Sequence, residues 1–198
     1  MRIGIFGGTF SPVHNGHIAM LNSFAREPYI DKILVVPTFV PPHKPEDLGA
    51  SVEDRIRMLE LATRGVDKAE ISLVEIERGN ISYTVDTLRE LSGSDELYLL
   101  LGGDMFLSLE FWREPEEIMR LAHIVVGRRE NDHVIGEKIK EYKAYLERKF
   151  GARVHETLFP PVVLSSSEIR ERLIHGESID ALVPPCVASY IKEKQLYL

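Results

Sequence analysis

The chain has 198 residues, of which 44% are hydrophobic, 28% charged and 8% aromatic, a globular composition unlike that of disordered, collagen-like or membrane proteins. With 24 Lys and Arg against 31 Asp and Glu the formal net charge is −7, which argues against a surface built to bind nucleic acid. A chain of this length is expected to form one domain over residues 1–198, burying about 70% of its unfolded surface without a metal or disulfide staple.

Arg2 to Phe6, Lys32 to Val36, Ala69 to Val74, Glu96 to Leu101 and His123 to Val126 are short apolar runs bounded by Gly, Pro or charged residues, and they read as interior strands. Between them, helical spacing predicts helices over Ile18 to Arg26, Val52 to Thr63 (with Ile56, Leu59 and Thr63 on one face), Tyr83 to Leu91 and Glu114 to Leu121. Ile135 to Phe150 reads as a long amphipathic helix, followed by a last strand at Arg153 to Thr157. This alternation implies an α/β fold, a doubly wound and mostly parallel sheet of five or six strands. Ser165 to Glu168 has the form of a capping box opening a helix over Ser166 to His175, and Pro184-Pro185 opens another that runs to Lys194, so 164–198 forms a C-terminal helical subregion. The Pro-rich Pro37 to Pro45 is too short for a linker and reads as an ordered loop after the second strand.

The single Cys186 cannot form an internal disulfide, and the first residues contain no apolar leader with a cleavage site. The longest apolar runs have four or five residues, where a bilayer span needs about 20. A cytoplasmic protein that neither crosses a membrane nor binds nucleic acid is expected.

The first strand runs into Gly7-Gly8-Thr9-Phe10-Ser11-Pro12-Val13-His14-Asn15-Gly16-His17, where a helix begins. Glycines allow close backbone approach, and a helix N-terminus after a strand attracts anions, phosphate above all. His14 and His17 lie three residues apart with Gly16 between them, so both imidazoles can converge on one anion as hydrogen-bond donors or cations. The simpler role for either histidine is to cap the helix, and a metal pair would lack acidic or Cys partners within the segment. Neither GxxxxGK[ST] nor GxGxxG is present.

This segment resembles the GGTFDPxHxGH signature of the HxGH nucleotidylyltransferases, and among them of the bacterial nicotinate-nucleotide adenylyltransferase family. Pro41-Pro42-His43-Lys44, Ser82-Tyr83-Thr84, Gly102-Gly103-Asp104, Trp112, Arg128-Arg129 and Leu164 to Arg170 are similar to further motifs of that family. So is the closing run from Val183-Pro184 through Tyr190-Ile191 to Leu196-Tyr197, and the resemblance covers essentially the whole chain. Ser11 replaces the family's usual Asp, Ser167 its Thr, and Arg113 stands where an aromatic residue is expected.

The resemblance implies transfer of AMP from ATP to nicotinate mononucleotide, giving deamido-NAD and pyrophosphate without a covalent intermediate. His14, His17, Lys44 and Arg170 are then the expected catalytic groups. Gly7, Gly8, Thr9, Phe10, Gly16, Gly102, Asp104, Ser165, Ser166 and Ile169 are expected at ATP, and Tyr83, Thr84, Trp112 and Arg129 at the mononucleotide. Mg²⁺ is expected to be held mainly through the ATP phosphates rather than by a protein cage, and a homo-oligomer is the one protein assembly the reading allows for. The competing readings are the same chemistry with nicotinamide mononucleotide or phosphopantetheine as acceptor, and a nucleotide sensor without turnover.

Overall fold

A computed structural model describes residues 1–42, 49–130, 132–162 and 164–198, so His43 and Lys44 lie outside the described residues. Six strands form one sheet: β1 (Arg2–Gly8), β2 (Lys32–Pro37), β3 (Ala69–Ile71), β4 (Glu96–Gly102), β5 (Ala122–Arg129) and β6 (Val154–Phe159). Their order is β3-β2-β1-β4-β5-β6, and every neighbouring pair is parallel. Ile5 lies opposite Leu34 of β2 and Leu99 of β4, which sets β1 and β4 side by side at the centre. The central strands are covered on both faces, which is why they read as unbroken apolar runs instead of alternating. Phe6, Ile33, Val35, Leu100 and Val125 pack in one cluster, whereas Ile5, Val36, Leu99, Leu101, Ile124 and Val126 pack in the other.

The connecting segments supply α1 (Asn15–Ala25), α2 (Val52–Thr63), α3 (Val74–Arg78), α4 (Thr84–Leu91), α5 (Gly103–Phe106), α6 (Pro115–Leu121), α7 (His133–Phe150), α8 (Ser166–Ile174) and α9 (Pro185–Lys194), with a 3₁₀ turn at Leu109–Phe111. Among the described residues no helix is long and apolar enough to cross a membrane. In α7 the expected face is the observed one: Ile139 and Leu146 are buried, with Tyr142 and Phe150 packed beside them.

Three expectations change. The strand expected over Ala69 to Val74 stops at Ile71 and lies at the sheet edge, because Val74–Arg78 winds into a helix that Gly79, at φ 70°, terminates. In α2 the buried face is Arg55, Met58, Leu59 and Ala62, with Ile56 only half-buried. At the start of α8 the Ser165 side chain accepts from the Glu168 N–H, while the Glu168 carboxylate pairs with Arg172 at 3.2 Å, so one arm of the expected capping box is replaced by an ion pair.

The C-terminal helices belong to the same core as the sheet. Ile169, Val183, Val187, Ile191 and Tyr197 join the cluster that contains Phe6, Phe10 and Leu59. In a sheet of this order the crossovers leave in opposite directions from β1 and β4, which opens a crevice beyond the carboxyl ends of those strands. The Gly7 to His17 segment starts there.

Candidate active site

The two glycines that end β1 serve different ends. A Cβ at Gly7 would meet only the Val36 carbonyl oxygen, at 4.0 Å, and Gly7 is exposed, so its backbone opens on the crevice. A Cβ at Gly8 would lie 2.9 Å from Phe10 Cζ, so Gly8 makes room for that ring. Phe10 is 2% exposed and holds φ at 51°, a left-handed conformation that bulky residues rarely adopt. Its ring stands edge-on to His17 at 5.1 Å and lies 5.8 Å from Phe6. The Phe10 side chain therefore belongs to the core and braces His17, which leaves its backbone as the part that can meet a nucleotide.

The histidines cap α1, and they do so reciprocally. His14 is the N-cap, and its Nδ1 accepts from the His17 N–H at 3.3 Å, while His17 Nδ1 accepts from the His14 N–H at 3.2 Å. The rings stack with centroids 3.7 Å apart. A Cβ on Gly16 would sit 3.0 Å from His14 Cε1 and Nδ1, so glycine there keeps the His14 ring in place. An Nδ1 that accepts a hydrogen bond carries no proton, so each neutral ring holds its proton on Nε2 and offers a single N–H donor. Burial lowers the His14 pKa to about 4. Burial, and then the neighbouring His14, lower that of His17 well below its usual value. Of the two roles left open for these rings, donor or cation, the geometry selects the donor.

The C-terminal elements hold this segment from the other side. Asn15 donates its N–H to Leu182 O at 2.9 Å and its amide to Ala181 O at 3.0 Å. Ser166 Oγ donates to Pro12 O at 2.9 Å, and Arg170 donates to Ser11 O at 2.7 Å and to Ser167 Oγ at 3.2 Å. Ser11 is 1% exposed, with Oγ 3.0 Å from the Tyr197 hydroxyl, whose pKa burial pushes up to about 12. The Ser-for-Asp replacement at position 11 thus leaves the loop anchored.

These bonds refine what the α8 segment can offer an anion. The Ser165 hydroxyl oxygen caps α8 and the Ser166 hydroxyl proton is committed to Pro12. Ile169 is fully buried, and its N–H donates to Ser165 O at 3.2 Å, so its side chain seats the helix on the core. The first-turn N–H groups of α8 and the half-buried guanidinium of Arg170 remain as donors.

The other predicted residues lie on further elements of the fold. Gly102 ends β4 and Asp104 follows in the first turn of α5, exposed and without a protein partner among the described residues. Tyr83 and Thr84 open α4, where no side chain caps the first turn. The Arg113 guanidinium lies 4.5 Å above the Tyr83 ring, so this departure from the family pattern covers an aromatic face. Trp112 is half-buried against the second core cluster and donates from Nε1 to Ser108 Oγ at 3.2 Å. Arg129 closes β5, 3.9 Å from Asp132. Lys44 lies outside the described residues.

Sequence reasoning missed two side chains under the loop. Tyr197 binds Ser11, and Arg55 of α2 is 1% exposed and donates to the Thr9 and Thr38 carbonyls. An arginine on a helix reads as surface, so only its place on the apolar side of α2 could have signalled it.

Among the described residues no three His, Cys, Asp or Glu side chains converge as a metal site. This donor set fits Mg²⁺ held through nucleotide phosphates and water, since the histidine Nδ1 atoms are already committed to backbone N–H groups.

The chain matches the cytidylyltransferase-like family over residues 5–172. A Dictyoglomus thermophilum protein named "probable nicotinate-nucleotide adenylyltransferase" is 40% identical over 205 residues, covering 100% of both chains. The chain belongs to the nicotinate-nucleotide adenylyltransferases. A relative of the same name from Chromobacterium violaceum is 34% identical, covering 99% of this chain and 98% of its own. Among solved structures, Plasmodium falciparum nicotinic acid mononucleotide adenylyltransferase complexed with NaAD superposes with a TM-score of 0.75 at 22% identity, covering 99% of this chain and 97% of that one. A Vibrio parahaemolyticus structure gives a TM-score of 0.67 at 18% identity. Both likenesses bear out the expected α/β fold, whose sheet in this chain has six parallel strands.

Proposed function

We propose that the chain transfers AMP from ATP to nicotinate mononucleotide, forming nicotinate adenine dinucleotide and pyrophosphate in NAD biosynthesis. The observation that carries this reading is the stacked histidine pair at the N-terminus of α1, in a chain whose full length matches nicotinate-nucleotide adenylyltransferases. A 5′-phosphate oxygen of the mononucleotide attacks the α-phosphorus of ATP. The bond from that phosphorus to the bridging oxygen breaks, and pyrophosphate leaves with the electron pair. The attacking oxygen is already ionised near neutral pH, so no general base is needed, and catalysis consists of alignment and charge stabilisation.

The Nε2–H groups of His14 and His17 donate to the phosphate oxygens on which charge develops. Being neutral and already oriented by the cap, they need no reorganisation as the reaction proceeds. Arg170 and the first turn of α8 bind the β- and γ-phosphates, and the Lys44 ammonium is assigned to the reacting phosphates. Gly7, Thr9 and Gly102 line the ATP side, and Asp104 accepts from ribose hydroxyls. Trp112 stacks on the pyridine ring, while Thr84 and the first N–H groups of α4 receive its carboxylate, with Arg129 and Tyr83 beside the mononucleotide. Mg²⁺, when bound, neutralises charge on the ATP phosphates. We assign residues 1–198 to a single domain working in the cytoplasm.

The test is pyrophosphate release from ATP and Mg²⁺ with nicotinate mononucleotide, nicotinamide mononucleotide and phosphopantetheine offered in parallel. Fastest release with the nicotinate substrate is expected. Preference for another acceptor would keep the chemistry and discard the acceptor pocket, and silence with all three would leave a sensor.

A further inference from the structure

Arg55 is the largest side chain to be fully buried among the described residues. One terminal nitrogen donates to both Thr9 O, at 2.9 Å, and Thr38 O, at 2.7 Å, and the other reaches Phe39 O at 3.4 Å. Its Nε is buried without a partner, and no carboxylate lies within ion-pair distance of its guanidinium among the described residues. A guanidinium taken out of water and met only by neutral carbonyls is a costly way to fill space, and a methionine of similar reach would pack there without desolvating a charge. Methionine would, however, leave the Thr9, Thr38 and Phe39 carbonyls without this donor, so what arginine supplies at this position is the join between two segments.

Thr9 lies within the Gly7 to His17 segment, two residues beyond Gly7 and next to Phe10, which braces His17. Thr38 and Phe39 begin the loop after β2 that leads through Pro41 and Pro42 toward Lys44. The Thr38 N–H donates to Gly8 O at 2.9 Å, and the Phe39 N–H donates to the hydroxyl of the buried Ser82 at 3.0 Å. The Ser82 N–H in turn donates to Val40 O at 2.9 Å, just ahead of Tyr83 and Thr84. A single planar fork thus spans the phosphate segment and the residues that follow β2, and Ser82 extends the tie to the start of α4.

We propose that Arg55 is a positioning residue for adenylyl transfer, holding the Gly7 to His17 segment and the Thr38 to Val40 segment, with the start of α4 tied to it through Ser82, at the separation that in-line attack requires. This rests on the function proposed above, in which the first segment holds the ATP phosphates and the start of α4, tied to the second segment through Ser82, receives the mononucleotide. In-line displacement is sensitive to spacing, and a misplacement of about 1 Å can cost about 100-fold in rate. The fork matters as much as the charge: a lysine brings an ammonium but lacks the rigid geometry that meets two carbonyls from one nitrogen.

The experiment compares the full chain with Arg55→Lys and Arg55→Met, each checked by circular dichroism and thermal melting, using nicotinate mononucleotide and ATP. For the folded Arg55→Met variant kcat is expected to fall about 100-fold while KM for each substrate stays within about threefold, because alignment acts on the step and not on binding. Arg55→Lys is expected to lose about tenfold in kcat with the same pattern. If Arg55→Met does not fold, the proposal is judged on Arg55→Lys. A folded variant with wild-type kcat, or one whose KM rises by more than kcat falls, would overturn it. An unmutated chain that does not turn over nicotinate mononucleotide would overturn the proposed function instead, and the two failures are distinct.

Discussion

Replacing His17 by alanine is expected to lower kcat by about 10²- to 10³-fold while the protein stays folded, the usual cost of removing one preorganised donor to a developing oxyanion. The structure allows this loss to be separated from the loss of a helix cap. His14 and His17 each perform two tasks with two different ring nitrogens: Nδ1 accepts from the partner's backbone N–H, and Nε2 carries the outward proton. Asparagine at position 14 would supply a cap acceptor as good as any, without a donor where Nε2–H stands. The variant His14→Asn should therefore melt close to the wild-type temperature yet lose kcat on the same scale as His17→Ala. His14→Ala would lose both, with about 1 kcal/mol of stability gone as well. Single-turnover rates beside thermal melts are the measurements. Near-normal turnover in His14→Asn would reduce the pair to a structural cap.

A second large effect is expected on acidification. The His14 pKa is about 4 in the folded chain against 6.5 for a free imidazole, and His17 is lowered in the same direction. The unfolded chain therefore binds more protons than the folded one between these values, and stability falls as the pH drops from about 6.5 to about 4. For His14 alone, at about 1.4 kcal/mol per pKa unit, the loss approaches 3 kcal/mol. His123 and His155 are lowered as well, chiefly by burial, and act with the same sign. Urea midpoints between pH 7 and pH 4.5 should fall steeply in the wild type and less steeply in His14→Asn. Equal slopes would mean that His14 is not held neutral by the fold.

The sheet was legible in the sequence because buried parallel strands have a strong local signal. Each of the runs beginning near Arg2, Lys32, Glu96 and His123 became a central strand, and the run expected over Arg153 to Thr157 became β6 at Val154–Phe159. The Ala69 to Val74 run was misread because an apolar stretch of that length suits a strand or a helix turn equally well, and Gly79 decides the matter from a distance. In the site, the histidine segment was visible as a motif but its mechanics were not. A cap by either histidine was among the readings of the segment, but the residue types do not signal that the two cap reciprocally, and the reciprocal cap is what settles the tautomer and the charge. Phe10 and Ile169 sit inside motifs and therefore read as ligand contacts, although their side chains fill the core beneath the motif. Arg55 was silent and Tyr197 showed only as part of the closing motif for the opposite reason: their roles depend on contacts across 46 and 186 residues of chain, which no local pattern contains.

If a neutral histidine pair, with His14 buried and His17 half-buried, stabilises the transferring phosphoryl group by hydrogen bonding, the pH dependence of kcat reveals it. Single-turnover rates with saturating ATP, Mg²⁺ and nicotinate mononucleotide should rise as the acceptor phosphate ionises near its second pKa of about 6, then stay level to pH 8.5. Neither imidazole titrates in that interval, so no alkaline decline is expected. A fall in kcat with an apparent pKa between about 6.5 and 7.5, absent from His17→Ala, would show that an imidazolium is required and would contradict the account.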